Sequence, residues 1–322
     1  MIAKQAATLL QEQDNILILT HRRPDGDTVG CARALCLSLR QVGKTAYVLD
    51  NEDATALIGA YLDGVKAPQQ WKADFVVSVD IAGESLFPTS AEGWKGKVDL
   101  SVDHHPSNEG FAKINCVDDT CAACGELMYD ICRELGPVTP EIALPLYVAV
   151  STDTGCFVYG NTTARTHRVA ADLIETGIDY RDANKRHFRT KSAKRLKLEA
   201  ILMSGVELLQ EGTLAIGSLS LADMASIGAT EDDAEDIAAF IGQIEGVYNS
   251  VTIRELKPGE CKLSVRTNPV KLNATKVCAL LGGGGHVSAS GCTVHGSVQE
   301  ARERILQAII QVQTENQKIQ KR

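Results

Sequence analysis

The sequence has no long apolar run, and none of its hydrophobic stretches reaches the roughly 18 residues that a membrane-spanning helix requires. Nothing in it resembles a signal peptide, because residues 1–10 are too few and too polar to form the apolar part of a leader. Internal repeats and low-complexity tracts are also missing. These absences argue against a membrane, secreted or fibrous protein, and we expect a cytoplasmic globular chain.

The composition sets further limits on the class of protein. A length of 322 residues suits two domains of ordinary size, and 44% hydrophobic with 23% charged residues is typical of a globular protein. The net charge of −8 would repel phosphate-rich ligands unless cations are gathered locally.

Ten cysteines are unusual in such a chain. Cys116, Cys121 and Cys124 suggest a zinc or iron–sulfur site, but no second Cys-x-x-Cys pair or histidine partner follows at a familiar spacing. Residues 120–135 show the apolar spacing of a helix, which favours small buried thiols over a metal site. Disulfides are not expected in a reducing cytosol.

Four short runs in the first half have the nearly unbroken apolar character of strands buried on both faces of a parallel sheet. They are residues 15–21, 45–50, 74–80 and 98–103. Residues 28–41 show helical spacing between the first two runs. We therefore predict an α/β fold with a mainly parallel sheet. Periodicity alone leaves the apolar stretch 142–150 open between helix and strand.

Carboxylates and imidazoles follow these runs, at the sheet edge where ligands bind in open α/β folds. Two divalent cations roughly 3.5–4 Å apart need several carboxylates, at least one of them shared. Added imidazoles favour Mn²⁺, Fe²⁺, Co²⁺ or Zn²⁺ over Mg²⁺ or Ca²⁺. Alone, an Asp-Gly-Asp turn or a His-His pair is usually a solvated loop, so the prediction of metal-dependent phosphoester chemistry rests on their joint occurrence. The candidate residues are His21, Asp25, Asp27, Asp80, Asp103, His104, His105 and Asp153.

The second half contains four consecutive glycines, Gly282–Gly285, directly before His286. Each glycine costs backbone entropy on ordering, which is reasonable where backbone N–H groups must approach an anion closely. The alternative is a flexible connector between a helix at 273–281 and a strand at 291–295. Residues 261–268 are typical of a strand, whose end offers Arg266 for bidentate phosphate binding.

A basic run separates the two halves. Residues 181–199 contain eight Lys or Arg and two acidic residues. The default interpretation is a solvated connecting helix, and the alternative is an electrostatic guide for oligonucleotide phosphates. We predict a first domain at 1–184, a basic helical linker at 185–209 and a smaller α/β domain at 210–322.

Several motifs together resemble those of the DHH phosphoesterase superfamily, over about residues 15–293. The glycine-rich segment resembles the signature of the DHH-associated C-terminal domain, and the short chain is most similar to the NrnA-type bifunctional oligoribonucleases. The motifs that carry the resemblance are His21-x-x-Pro24-Asp25-Gly26-Asp27, Asp80, Asp103-His104-His105, Thr152-Asp153-Thr154-Gly155 and Gly282–Gly291.

The resemblance implies a binuclear metal centre with two divalent ions, for which Mn²⁺ is our first choice. His21, Asp25 and Asp80 would hold one ion, and a second set would hold the other, with Asp80 shared. Asp103 would orient His104, and His105 would contact the phosphate or protonate the leaving oxygen. The second set comprises Asp27, Asp80, His104 and Asp153.

The resemblance also implies a substrate-binding role for the second domain, with the active site in the cleft between the domains. Phosphate or nucleotide would be bound by Arg266, Gly283, Gly284, Gly285 and His286. The chain departs from the family pattern at Cys156 and Val158, in a segment where many relatives have an arginine, and at Val287 and Ser290. These departures affect the expected substrate and not the metal ligands.

The expected activity is hydrolysis of short oligoribonucleotides or linear dinucleotides to mononucleotides. Removal of the 3′-phosphate from nucleoside bisphosphates such as 3′-phosphoadenosine 5′-phosphate is the expected second activity. The alternatives are a cyclic-dinucleotide phosphodiesterase and a catalytically silent nucleotide- or RNA-binding protein. No membrane partner is expected, and the sequence leaves a homodimer open.

Overall fold

The computed structural model describes residues 1–69, 71–234 and 237–320, with only the backbone of 317–320. The chain forms two compact units, Met1–Thr190 and Lys191–Arg322. Across the described residues, no helix combines the length and apolar character needed to cross a bilayer.

The first unit contains a five-stranded, wholly parallel sheet, as the sequence predicts. The strands are β1 Ile16–Leu19, β2 Ala46–Val48, β3 Phe75–Val79, β4 Leu100–Asp103 and β5 Ile114–Val117. Their order in the sheet is β2-β1-β3-β4-β5. The helices are α1 Ala3–Glu12, α2 Gly26–Gln41, α3 Ala56–Gly59, α4 Cys124–Leu135, α5 Pro140–Asp153, α6 Ala164–Glu175 and α7 Tyr180–Asn184.

Alternate residues of β1 explain its unbroken apolar run. Ile16 and Ile18 pack into one core with the helices, whereas Leu17 and Leu19 pack into a second core that contains Phe87. Successive side chains of a strand point to opposite faces, so a strand covered on both sides needs apolar residues at every position. The β1 segment therefore lies at the centre of a layered α/β unit.

The unassigned stretch 142–150 lies inside helix α5. Residues 145–151 are all buried, so the helix lacks a polar face that would have revealed its period. Helix α2 packs closely against α5, because a Cβ at Gly26 would collide with Thr152 and one at Gly30 with the Pro145 carbonyl. Consequently Asp153 follows a helix and not a strand.

The second unit is built on a mixed six-stranded sheet. Its strands are β6 Glu207–Leu209, β7 Leu214–Leu219, β8 Asn249–Lys257, β9 Glu260–Thr267, β10 Gly284–Gly285 and β11 Ala289–His295, in the order β10-β11-β9-β8-β7-β6. Only the β7–β8 pair is parallel within the described part of this sheet. The helices are α8 Ala193–Ser204, α9 Leu221–Ser226, α10 Ala274–Ala279 and α11 Val298–Gln320.

The basic run is not one continuous helix. A π-helical turn covers Lys185–Arg189, and α8 follows it after Thr190. Leu198 and Leu202 of α8 are fully buried in a core of the second unit. The packing of α8 therefore assigns residues 193–204 to the second unit, inside the segment that the sequence suggests is a linker.

The cysteines of the 116–124 cluster are buried thiols, as the helical spacing favours. Helix α4 begins at Cys124, and Cys121 precedes it in a turn. Where the chain is described, the candidate metal-ligand groups contain no cysteine.

Candidate active site

The parallel sheet places the ends of β1, β3 and β4 next to one another, so the side chains that follow them converge. Asp80, directly after β3, has a left-handed backbone with φ 58°, which is strained for a residue other than glycine. Its amide donates a hydrogen bond of 2.9 Å to the Val102 carbonyl of the neighbouring strand. The sheet therefore holds Asp80 in a conformation that a free loop would not keep.

One cluster of candidate ligands consists of His21, Asp25 and Asp80. The Nε2 atom of His21 lies 3.6 Å from Oδ1 of Asp25 and 3.8 Å from Oδ2 of Asp80. The other ring nitrogen of His21 is 2.9 Å from the Arg22 carbonyl, which orients the imidazole. This cluster is the set that the family resemblance implies for one of the two metal ions.

A second cluster consists of Asp27, His104 and Asp153. The Nε2 atom of His104 lies 3.7 Å from Asp153 Oδ2, 3.9 Å from Asp27 Oδ2 and 3.5 Å from Asp80 Oδ1. The two carboxylate oxygens of Asp80 thus face two different imidazoles, His21 and His104. A carboxylate that bridges two cations through its two oxygens would have this arrangement.

Asp27 is buried at the N-terminus of α4. Its carboxylate accepts hydrogen bonds from the backbone N–H groups of Cys124 at 2.7 Å and Gly125 at 2.9 Å. The positive end of a helix favours a negative charge. Even so, burial, followed by repulsion from Asp153 and Asp25, raises the pKa of Asp27 well above its usual range.

Asp80 is 3% exposed, and its Oδ1 atom accepts no hydrogen bond from any described residue. Burial, followed by repulsion from Asp27, raises the pKa of Asp80 well above its usual range. Asp153 lies at the C-terminus of α5, where the helix dipole also disfavours a negative charge. Divalent cations would offset these charges and satisfy the unpaired oxygen, so the residues fit a metal centre.

Asp103 contacts His105, which corrects the expectation that it orients His104. Its Oδ1 atom lies 2.7 Å from His105 Nδ1, whereas the ring of His104 is held by the Cys121 carbonyl at 3.1 Å. Asp103 reaches His104 only through the backbone N–H, at 2.8 Å. The hydrogen bond to Asp103 raises the pKa of His105.

Neither Asn108 nor the start of α4 is singled out by the sequence motifs. Asn108 donates a hydrogen bond of 2.7 Å to Asp103 Oδ2, so both oxygens of the buried Asp103 carboxylate are engaged. The sequence feature that could have identified Asn108 is its position three residues after His105. His105 also belongs to a third, overlapping cluster with Asp80 and His104.

The segment after Asp153 contains two consecutive residues with a left-handed backbone. Cys156 and Phe157 have φ values of 56° and 68°, and the Val158 side chain is 80% exposed. Asn161 donates hydrogen bonds to the carbonyls of Asp153 at 3.1 Å and Ala122 at 2.9 Å. These bonds tie the segment to Asp153, a member of the second cluster, and to the chain just before α4.

In the second unit, Arg266 pairs with Ala289 across β9 and β11, and the glycine run forms part of the sheet. A Cβ at Gly283 would collide with the Gly291 carbonyl, and Gly285 combines φ 139° with a close approach to Ala289. The glycines are thus not a flexible connector. Gly284 is exposed, and nothing lies within 4 Å of the position of a Cβ there. His286 is also exposed.

Comparison with known families identifies the class of protein. The sequence model of the DHH family, N-terminal domain, matches residues 15–150, and that of the DHHA1 domain matches residues 217–315. The bifunctional oligoribonuclease and PAP phosphatase NrnA of Thermus thermophilus is 32% identical over 316 residues, covering 94% of this chain and 92% of that protein. The chain belongs to the DHH phosphoesterase family and, within it, to the NrnA type.

Solved structures show the same fold. An exopolyphosphatase-related protein from Bacteroides fragilis aligns with a TM-score of 0.87 at 23% identity, covering 97% of this chain and 96% of that one. RecJ from Thermus thermophilus, solved in complex with Mn²⁺, aligns with a TM-score of 0.50 at 14% identity, covering 94% of this chain and 54% of that one. Both likenesses concern the fold alone.

Proposed function

We propose that this protein hydrolyses short oligoribonucleotides and linear dinucleotides to mononucleotides, using two divalent cations, with Mn²⁺ as the first choice. Removal of the 3′-phosphate from 3′-phosphoadenosine 5′-phosphate is the proposed second activity. The observation that carries the proposal is the Asp80 carboxylate, whose two oxygens face the two ligand clusters. The substrate class is supported by the name of the Thermus thermophilus relative, which covers nearly the whole chain.

The proposed ligands divide between the two clusters. His21, Asp25 and Asp80 would hold one ion, and the other would be held by Asp27, Asp80, His104 and Asp153. Cations bound there would supply charge neutralisation at the phosphate and a lowered pKa for the attacking water. The fold places four carboxylates close enough to repel one another in the absence of cations, and this repulsion favours cation binding. They are those of Asp25, Asp27, Asp80 and Asp153.

His105 would contact the substrate. Its Nδ1 atom is engaged by Asp103, which leaves Nε2 as the ring nitrogen available to a phosphate oxygen or a leaving oxygen. The side chain is 32% exposed, more than that of His21 or His104. Asp103 is fully buried and hydrogen-bonded on both oxygens, so it fixes the orientation of His105.

Arg266, His286 and the glycines Gly283–Gly285 would bind a phosphate of the substrate. Arg266 suits this role because a guanidinium can bind a phosphate through two parallel N–H groups. At Gly284 neither a positive φ nor a close neighbour explains the glycine. A requirement for close approach of an anion to the backbone would explain it.

A turnover panel with added Mn²⁺ tests the proposal. The substrates are a labelled ribodinucleotide, a five-residue RNA, a cyclic dinucleotide, 3′-phosphoadenosine 5′-phosphate and pyrophosphate. Asp80→Asn is the blank. Asp74→Asn is the matched control, because Asp74 lies at the opposite end of the same strand and contacts Asn15 instead of the ligand clusters.

Fast cleavage of both linear RNAs by the wild type and Asp74→Asn, but not by Asp80→Asn, is the expected result. A preference for the cyclic substrate would identify a signalling phosphodiesterase instead. Binding of RNA in the presence of Mn²⁺ without any product would identify a catalytically silent binding protein. Equal turnover by Asp80→Asn would refute the shared-carboxylate scheme itself.

A further inference from the structure

One end of the sheet in the second unit carries an exposed aromatic and apolar surface, which we call the Tyr248 patch. It comprises Tyr248, Val270, Lys271 and Val287. The exposed fraction is 45% for Tyr248, 90% for Val270 and 49% for Val287. Large apolar side chains exposed in one place commonly mark a binding surface.

Backbone hydrogen bonds bring the three segments of the patch together. The amide of Asn268 donates to the Tyr248 carbonyl at 2.9 Å, directly beyond the paired residues Asn249 and Thr267 of β8 and β9. On the other side, Thr267 donates through its amide to the Ser288 carbonyl at 2.9 Å. The order of the strands therefore places Tyr248, the 268–271 turn and the 286–288 turn side by side.

The Tyr248 ring is held by a cation. The Nζ atom of Lys271 lies 3.5 Å from the ring centroid, which is a close cation–π contact. This contact orients the ring and covers one of its faces. Much of the side chain is still exposed to solvent. An oriented, exposed aromatic ring is a suitable surface for stacking a planar ligand.

The charges around the patch indicate the chemistry of its ligand. No ion pair with an acidic residue is formed by Arg266, Lys271 or His286 among the described parts of the chain. Two cations, Arg266 and Lys271, and the His286 imidazole at one end of a sheet are notable in a chain with net charge −8. Cations beside an exposed aromatic ring are the combination that binds single-stranded nucleic acid, with phosphates on the cations and a base on the ring.

We propose that the Tyr248 patch is a nucleobase-stacking subsite for a single-stranded oligoribonucleotide. The base stacks on Tyr248 and contacts Val270 and Val287, and a neighbouring phosphate of the same strand binds Arg266 and His286. This inference rests on the proposed oligoribonuclease function and adds a side-chain contact to a base. Stacking tolerates any base, so the subsite selects single strands without selecting sequence.

An abasic scan with variants of Tyr248 tests the subsite. The substrates are a five-residue RNA and five versions of it, each lacking the base at one position. The proteins are the wild type, Tyr248→Leu, and Tyr248→Phe, which keeps the ring. Ile310→Ser on α11 serves as a control for removal of an exposed apolar side chain, since Ile310 is 56% exposed outside the patch.

In the wild type, loss of the base at one position is expected to lower kcat/KM about tenfold, a typical effect of one stacked base. Tyr248→Leu should lower kcat/KM by a similar factor on intact RNA and show no further loss at that position. Tyr248→Phe and Ile310→Ser should behave like the wild type. A 5-bromouridine at the sensitive position should cross-link to the peptide that contains Tyr248.

Other outcomes would overturn the subsite. If the wild type cleaves RNA and Tyr248→Leu shows the same abasic profile, the proposed function stands and the subsite is wrong. If the wild type cleaves none of the RNAs, both proposals fail together. If Tyr248→Leu converts a dimer into a monomer in analytical ultracentrifugation without changing the abasic profile, the patch is a contact between copies of this chain.

Discussion

The two units present their candidate ligand-binding groups in different ways. In the first unit Asp27 and Asp80 are almost fully buried, and backbone N–H groups, carbonyls and Asp103 fix the residues around them. In the second unit His286 and Gly284 are exposed, and the side chain of Arg266 bonds only to the adjacent Val265 carbonyl in the described structure. Carboxylates that repel one another need a rigid frame, whereas a side chain with few polar contacts, such as that of Arg266, can adjust to a phosphate.

This contrast predicts that changes in the first unit alter metal binding and changes in the second alter substrate binding. The largest effect is expected from Asp80→Asn. Loss of the proposed shared carboxylate should lower kcat at least about a thousandfold, or ~4 kcal/mol in activation free energy. Elemental analysis should find less bound Mn²⁺ than in the Asp74→Asn control. Full metal content and full activity of Asp80→Asn would show that Asp80 is not a ligand of the metal centre.

The second prediction concerns Arg266→Ala and His286→Ala. Each should lower kcat/KM on RNA by roughly a hundredfold, because a charge-assisted phosphate contact contributes about 2–3 kcal/mol. Metal content should stay unchanged. Arg254→Ala, on β8 of the same sheet and already paired with Glu231, is the control and should retain normal turnover. Loss of Mn²⁺ from either test variant would contradict the separation of roles.

The third prediction separates packing from ligand approach within the glycine run. Gly283→Ala should destabilise the protein by about 2 kcal/mol, because its Cβ would collide with the neighbouring strand. Gly284→Ala has open space and should leave the unfolding temperature unchanged while lowering kcat/KM on RNA. Thermal unfolding of both variants, measured beside turnover, checks this difference. Equal unfolding temperatures for the two variants would argue against the steric explanation.

The fourth prediction concerns Glu126, which anchors the start of α4. Its buried carboxylate accepts hydrogen bonds from Arg165 Nε at 2.9 Å and Thr166 Oγ1 at 2.6 Å, next to the N–H groups that hold Asp27. Glu126→Gln should weaken Mn²⁺ binding about tenfold in calorimetry, as changes behind a metal ligand typically do. Asp130→Asn is the control, since Asp130 contacts Arg165 from a more exposed position. Equal Mn²⁺ affinities for the wild type and Glu126→Gln would show that Glu126 contributes to the stability of the fold and not to metal binding.

The smallest effect is a pH dependence of metal stabilisation. Raised pKa values of Asp27, Asp80 and His105 stabilise the metal-free fold at low pH, and this contribution is lost as the pH rises through the folded-state values. Metal binding requires deprotonated ligands, so the affinity for metal rises over the same pH range in which the metal-free fold loses stability. The increase in unfolding temperature on replacing EDTA with Mn²⁺ should be larger at pH 8 than at pH 6, by on the order of 3 °C. A smaller increase in unfolding temperature at pH 8 than at pH 6 would contradict the predicted direction of the pH dependence.

Parts of the candidate site were accessible from local sequence signals. His21, Asp80 and Asp103 follow unbroken apolar runs, and such runs predict parallel strands whose ends share one sheet edge. Residues further along the chain were harder to place. Asp153 follows a helix that is apolar on every side, so its sequence carries no period that could distinguish helix from strand.

Local sequence patterns were enough to predict the α/β class, the parallel sheet of the first unit and the residue types that suit a divalent-metal site. Tertiary structure alone decided that Asp103 engages His105 and that the N-terminus of α4 holds Asp27, 97 residues away from Cys124 in sequence. It also decided that α8 packs into the second unit and that Gly283 lies against β11. Apolar periodicity records which face of an element is buried, whereas hydrogen-bond partners depend on how distant elements pack.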